Sequence, residues 1–252
     1  MHATVRTLTF NFLKADLRMP QLMFWDWLFP LVLILAFSVF IQSQEFSSFL
    51  LPGLVSLFIM QSIIFSLPYR IAQFQEQGIL ALVKERGNPV KLLIGFYLSR
   101  VVILVVQTVA ILVIGAWLLK VPLELNIGLM VVAFVAATLL FMLLATCCGI
   151  VMKKQNAALG LSQAIYFVLI GTSGIFYPME KSPELLQLVS GFSPLYYVNE
   201  LWTGALLGDS VGAIRDIGIL AIFTVILLIL SGLLLRNKRK GKRKYEGIAQ
   251  AN

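Results

Sequence analysis

Gly171-Thr-Ser173-Gly174 offers the outline of a nucleophile, since Gly-x-Ser-Gly fragments carry the serine of intramembrane proteases. A serine attacks only with a base within hydrogen-bond reach. The single histidine is His2, outside every apolar stretch, and no lysine lies within one. Gly171 and Gly174 therefore read as packing or bending residues. Gly-x4-Gly-Lys-Ser/Thr occurs nowhere, so the chain lacks a phosphate loop for ATP. Asp26 and Glu45 flank the first long apolar stretch and no carboxylate falls near the middle of any, which argues against a proton or ion relay. Cys147 and Cys148 are adjacent in an apolar run and suit buried packing better than a disulfide or zinc site. These residues predict a chain that is not an enzyme and binds no metal or cofactor itself.

Composition says what must position them. With 59% hydrophobic and 13% charged residues among 252, and a mean hydropathy of +0.90, the chain has more apolar surface than one soluble domain could bury. An all-α integral membrane protein of one domain, 1–252, is expected. Six stretches are long enough to cross as helices: Leu22 to Ile41, Phe49 to Tyr69, Val101 to Leu119, Ile127 to Met152, Ala157 to Tyr177 and Ile217 to Leu235. No short apolar run with a small-residue cleavage site precedes the first, so no secretory signal is expected. Of the twenty Lys and Arg, seventeen fall on one side: Arg6, Lys14, Arg18, Arg70, Lys84, Arg86, Lys91, Arg100, Lys153, Lys154 and the seven from Arg236 to Lys244. Lys120, Lys181 and Arg215 fall on the other. That asymmetry predicts both termini in the cytoplasm, in the cell membrane. The basic tail, 236–252, follows a span directly. It therefore suits anionic lipid headgroups, at about 1 kcal/mol per basic residue, rather than nucleic acid.

The connections carry their own patterns. In residues 1–20, Val5, Leu8, Phe12 and Ala15 share one helical face opposite Arg6, Lys14, Asp16 and Arg18, with Pro20 as the break, which predicts an interfacial helix. The 70–91 loop sets Ile71, Phe74 and Leu82 on an apolar side against Glu76, Lys84, Glu85 and Arg86, with Gly78 between and Gly87-Asn88-Pro89 as its end. A short helix docking in a partner's groove would have this form, and so would a solvated connecting loop. Between spans five and six, 178–208, Pro178 is followed by two short segments. Ser182-Pro183 opens one with Leu185, Leu188 and Phe192; Ser193-Pro194 opens another with Leu195, Val198, Trp202 and Leu206. At roughly 12 to 20 Å each, neither crosses a core of about 30 Å, so the pair dips into the membrane, lies along it, or forms a helical outer loop. Ala157, Gly160, Ala164 and Gly171 form a small-residue stripe for close helix packing, between subunits or within one. Trp25, Trp27, Tyr177, Tyr196, Tyr197 and Trp202 are placed at membrane interfaces.

Taken in order, these features resemble the membrane subunits of type-2 ATP-binding-cassette exporters. The opening helix ending at Arg18-Met-Pro20, Phe29-Pro30, Glu76-Gln-Gly78-Ile-Leu80 with Gly87-Asn88-Pro89, Ser173-Gly-Ile-Phe-Tyr-Pro178 and Phe192-Ser-Pro194-Leu-Tyr-Tyr197 carry the likeness. Many members have an acidic residue where Ala81 stands here. The resemblance implies a connecting helix on the inner leaflet and a coupling helix, around Phe74, Glu76, Gly78, Leu82, Lys84 and Arg86, seated on an ATPase. It also implies re-entrant outer helices with Pro178, Pro183, Pro194, Tyr196 and Tyr197, and two membrane subunits with two ATPases. ATP and Mg would sit on the ATPase. The implied activity is export of an amphipathic or lipid-like solute, of the drug, antibiotic, lipid or glycan class. A six-span channel or membrane sensor not coupled to ATP is the alternative.

Overall fold

From Leu50 to Leu67 the sequence is apolar on every side of a helix, broken only by Ser56, Gln61, Ser62 and Ser66 beside Pro52 and Gly53. Such a helix must be surrounded. In a computed structural model, which describes residues 4–41, 43–79, 88–152, 154–208 and 211–249, this stretch is the centre of the bundle. The helices are α1 Val5–Asp16, α2 Pro20–Met23, a π-helical turn Phe24–Leu28, α3 Phe29–Phe40, α4 Gln44–Glu76 and α5 Pro89–Leu119. There follow α6 Ile127–Val151, α7 Gln155–Gly171, a 3-10 turn Met179–Lys181, α8 Glu184–Ser190, α9 Pro194–Leu207 and α10 Ala213–Ala249. The π turn, α5, α6, α7 and α9 pack around α4, and the most apolar part of α4 is wholly buried. Outside that ring, α1 lies on α5, and α10 lies on α6 and α9.

Helix starts follow local chemistry. Thr4, Ser43, Asn88 and Asn126 cap α1, α4, α5 and α6, each accepting from a backbone N–H two or three residues on. Asn88-Pro89 thus opens α5, with Pro89 in its first turn, instead of merely closing the preceding loop. Gly78, at φ +66°, ends α4 in the left-handed conformation that glycine accepts most readily. The foreseen 70–91 loop is accordingly shorter, because residues 70–76 are the last turns of α4.

Among the described residues, four helices are long and apolar enough to cross a membrane: Gln44–Glu76, Val90–Leu119, Ile127–Val151 and Ala213–Arg236. The first expected span is divided by its π turn, leaving Phe24–Phe40 as a shorter apolar helix. The fifth stops at Gly171 after 17 residues, or about 25 Å, instead of reaching Tyr177. There Gly174 adopts φ +69° and the Tyr177 hydroxyl turns back to donate to Gly171 O at 2.6 Å. The third span begins a dozen residues earlier than expected, which puts Arg100 inside it.

The two short segments are helical. Leu195, Val198, Trp202 and Leu206 of α9 are buried, whereas Leu185, Leu188 and Phe192, in and just after α8, are exposed. Helix α8 starts after Pro183, one residue later than a Ser182 cap would give. The α5–α6 connection pins α9: Glu124 N–H and Asn126 N–H donate to Leu206 O and Ala205 O, carbonyls of its last turn, at 2.8 and 2.9 Å.

Gly149 marks the closest approach of α4 and α6. A Cβ there would lie 2.8 Å from Ile71 Cβ and 3.1 Å from the Pro68 backbone. Gly149→Ala should therefore destabilise the purified protein by about 1–3 kcal/mol, read as a lower thermal midpoint in detergent. Gly218→Ala, whose Cβ meets nothing within 4 Å, should leave the midpoint unchanged or slightly raised. Equal midpoints for the two variants would contradict the α4–α6 packing.

Candidate functional site

Pro30 has no N–H, so a helix passing through it leaves a carbonyl one turn earlier without a donor. The π turn moves the neighbouring bond, Phe29 N–H reaching Phe24 O. Two side-chain amides from other helices then serve the carbonyls in between. Gln61 Nε2 of α4 donates to Trp25 O at 2.9 Å, and Gln107 Nε2 of α5 donates to Asp26 O at 2.7 Å. Tyr166 of α7 donates its hydroxyl to Gln61 Oε1 at 2.7 Å, which brings a fourth element to the turn. Widened turns repaired in this way are frequent at functional sites.

The same turn carries Asp26, which is 4% exposed. Arg100 of α5, with no exposed surface, donates from Nη2 to Asp26 Oδ2 at 3.0 Å and to both Ser62 Oγ and Ser62 O of α4 at 2.7 Å. Its Nη1 faces Asp16 Oδ2 at 3.7 Å, an ion pair too long for a hydrogen bond. Asp16, the last residue of α1, is itself buried and accepts from Arg70 Nη2 at 2.7 Å. Arg70 completes its contacts with Met19 Sδ at 3.1 Å and Gln73 Oε1 at 3.3 Å. Two carboxylates and two guanidinium groups thus form one buried, formally neutral cluster. It joins α1, the π turn, α4 and α5 at the end of the bundle that carries the 77–88 connection.

Apolar contacts hold α1 over the cluster. Phe12 packs against Phe74 and Phe96, with ring centroids 6.1 and 5.5 Å apart. A Cβ on Gly95 would come within 2.7 Å of Leu8 Cβ, so only glycine lets α1 lie this close to α5. Val5, Leu8, Phe12 and Ala15 are half-buried in that contact, while Phe10 remains exposed. The cluster has no activated nucleophile, since each acid is held by an arginine. Among the described residues, no group of three His, Cys, Asp or Glu side chains could hold a metal ion. What the arrangement can do is mechanical: it fastens the surface helix to the membrane helices.

A family model for the ABC-2 type transporter matches residues 4–207, from the start of α1 to the end of α9. The chain belongs to the ABC-2 type transporter family. It is therefore a multi-pass membrane permease component of an ABC transporter, a component without its own ATPase, and the family in general works with an ABC ATPase. No curated protein matches the sequence.

Several residues foreseen for this ABC-2 permease lie elsewhere than expected. Phe74 and Ile71 are buried inside the subunit, 4% and 7% exposed, so they are not a free apolar side for a partner. Glu76 Oε2 accepts from Gln155 N–H at 3.2 Å, serving the N-terminus of α7, which has no side-chain cap of its own. Gln75 Nε2 donates to Gly149 O at 2.7 Å, so the end of α4 is tied to both α6 and α7. Leu82, Lys84 and Arg86 lie outside the described residues. Pro178 precedes the 3-10 turn, Pro183 precedes α8 and Pro194 opens α9. Tyr197 is buried and its hydroxyl donates to Gly191 O at 2.9 Å; burial raises the phenol of neighbouring Tyr196 above its ordinary pKa. Trp202 is 1% exposed in the core, not at an interface. Ala157, Gly160, Ala164 and Gly171 are all exposed, and a Cβ on Gly160 or Gly171 would meet nothing within 4 Å. Among the described residues, the stripe therefore has open space beside its glycines, apart from the Tyr177 hydroxyl on Gly171 O.

Arg100, Asp26, Asp16 and Arg70 were not read from the sequence as one group. The sequence marks Arg70 and Arg100 as loop cations and Asp26 as a flanking acid, because a charge at the edge of an apolar run signals a boundary unless a partner is known. Removing both arginines from the count leaves the charge asymmetry in place. The signal that was available is Pro30 itself, four residues after Asp26.

Breaking a buried pair from one side strands a charge, whereas removing both partners does not. Arg100→Met and Asp26→Leu should each cost about 3–5 kcal/mol, seen as a large fall in thermal midpoint or in folded yield. The double variant should recover much of that loss. Additive losses in the double variant would exclude direct coupling of the two groups.

Proposed function

We propose that this chain is the permease subunit of an ATP-driven exporter, moving an amphipathic or lipid-like solute out of the cytoplasm. The family match over residues 4–207 carries the reading. On this reading the segment Phe24–Phe40 and α7 complete six spans with the four longer helices, both termini face the cytoplasm of the cell membrane, and α8 with α9 forms a re-entrant pair on the outer side. The exposed apolar residues of α8 support that last assignment, because they find no cover within the subunit.

Coupling follows from the way the ends are fastened. An ATPase seated on the 77–88 connection, with Leu82, Lys84 and Arg86 as contacts, would push on the end of α4 and the start of α5. Phe74 and Glu76 transmit that push inside the subunit: Phe74 through Phe12 to α1, and Glu76 to the N-terminus of α7. Two permeases, identical or sister, meet through the exposed stripe of α7, and two ATPases bind below them with ATP and Mg. No observation favours the channel or sensor alternative, since each buried carboxylate is paired with an arginine.

The test is co-expression of the tagged chain with the ABC ATPases of its own genome, followed by purification through the tag. A stoichiometric ATPase should co-purify and hydrolyse ATP, and replacing Leu82, Lys84 and Arg86 together by serine should release it. Recovery of folded permease with no ATPase under any pairing would overturn the reading. Gly160→Leu should separate the subunits, measured as loss of cross-linking through a cysteine at position 164, while the thermal midpoint stays within about 1 kcal/mol of the parent because the side chain enters open space.

A further inference from the structure

At the other end of the bundle, α3 finishes, α4 begins and α5 finishes around one cavity of about 460 Å³. Ser38, Ile41, Gln44, Ser47, Leu118, Leu119 and Lys120 line it. The first turn of α4 supplies the positive end of a 33-residue helix. Ser43 takes the Phe46 and Ser47 N–H groups, whereas those of Gln44 and Glu45 have no acceptor among the described residues.

Ser47 gives an independent indication of a ligand. It is 3% exposed, yet its hydroxyl makes no hydrogen bond among the described residues. Other helical serines, such as Ser38, Ser56, Ser66 and Ser162, donate to a carbonyl three or four residues earlier. Ser47, a residue otherwise buried, instead leaves its hydroxyl unbonded where it lines the cavity.

Lys120 supplies the charge. It stands in the left-handed conformation, φ +53°, just past the end of α5. Backbone N–H groups of Lys120 and Val121 already serve Ala116 O, so the ammonium is not needed to close the helix. It makes no ion pair among the described residues, and exposed Glu45 is not part of the lining.

We propose that this cavity binds a phosphate group. An ammonium, the unbonded Ser47 hydroxyl, a side-chain amide and unpaired N–H groups at a helix start supply donors around a tetrahedral oxyanion, as phosphate sites require. Ile41, Leu118 and Leu119 add an apolar side that an acyl-linked headgroup can also use. The site lies away from the charge cluster and does not depend on which solute the transporter carries.

The experiment is ³¹P line broadening with the full chain in phosphate-free maltoside detergent, in one arm with inorganic phosphate and in the other with monomeric dihexanoyl phosphatidylglycerol. Saturable broadening is expected. Lys120→Gln and Ser47→Ala should each weaken it about tenfold or more, Lys120→Arg should bind within about threefold of the parent, and Lys181→Gln should match it. Circular dichroism and gel filtration establish that each variant is folded. Broadening of the lipid alone supports a headgroup as the source, and broadening of inorganic phosphate as well supports a free phosphate. No saturable broadening of either probe, or full binding by folded Lys120→Gln and Ser47→Ala, overturns the proposal.

Discussion

A guanidinium with no exposed surface, on a helix built to cross a membrane, must find every one of its partners inside the protein. Arg100 finds hydrogen-bond partners in Asp26 and Ser62, all through Nη2, and a longer ion pair in Asp16, and each of these fixes something larger. Asp26 sets the rotation of the first apolar segment. Ser62 sets the register of α4 against α5. Asp16, shared with Arg70, brings the end of α1 into the membrane helices, although the rest of α1 is a surface element. The charges do not add much net stability, because desolvation offsets much of their attraction. Their effect is to exclude other arrangements, since any shift of one helix strands a charge.

Backbone groups obey the same rule. Pro30 removes a donor where no water is available, and the structure answers with a π turn and two glutamine side chains, one from α4 and one from α5. Gln61 then engages Tyr166, so a repair that begins as a local defect in one segment links it to α7. The π turn and the ion pairs therefore constrain one another: Asp26 contributes its carboxylate to Arg100 and its carbonyl to Gln107.

The fold was legible where a pattern is local. The apolar run of α4, the amphipathic face Val5–Leu8–Phe12–Ala15 and the Ser193-Pro194 start of α9 all signal themselves within a few residues, whereas Asn88-Pro89 reads as a loop end although it caps α5. The site was not legible, because its contacts between helices join residues 36 to 105 positions apart and no period connects them. Phe74 illustrates the difficulty: its helical face is correct, but only the position of α1 decides whether that face meets a partner or Phe12. The length of α7 failed for another reason, since Gly174 and the Tyr177 hydroxyl end a segment whose composition would have let it continue.

Burial of α4 on every side also limits where a solute can travel. A close-packed bundle has no room for passage along its central helix, and opening one would separate Phe58, Met60 and Ile63 from neighbours that leave them no exposed surface. Leu28, Val32, Leu35 and Val39 of the first segment, by contrast, are exposed at helical spacing, as is the small-residue face of α7. Both outward faces belong to elements tied to α4, one at its middle through the π turn and Gln61, the other at its middle through Tyr166 and at its end through Glu76. In the dimeric reading the path therefore runs between subunits, along these faces, with α4 as the rigid member against which they move.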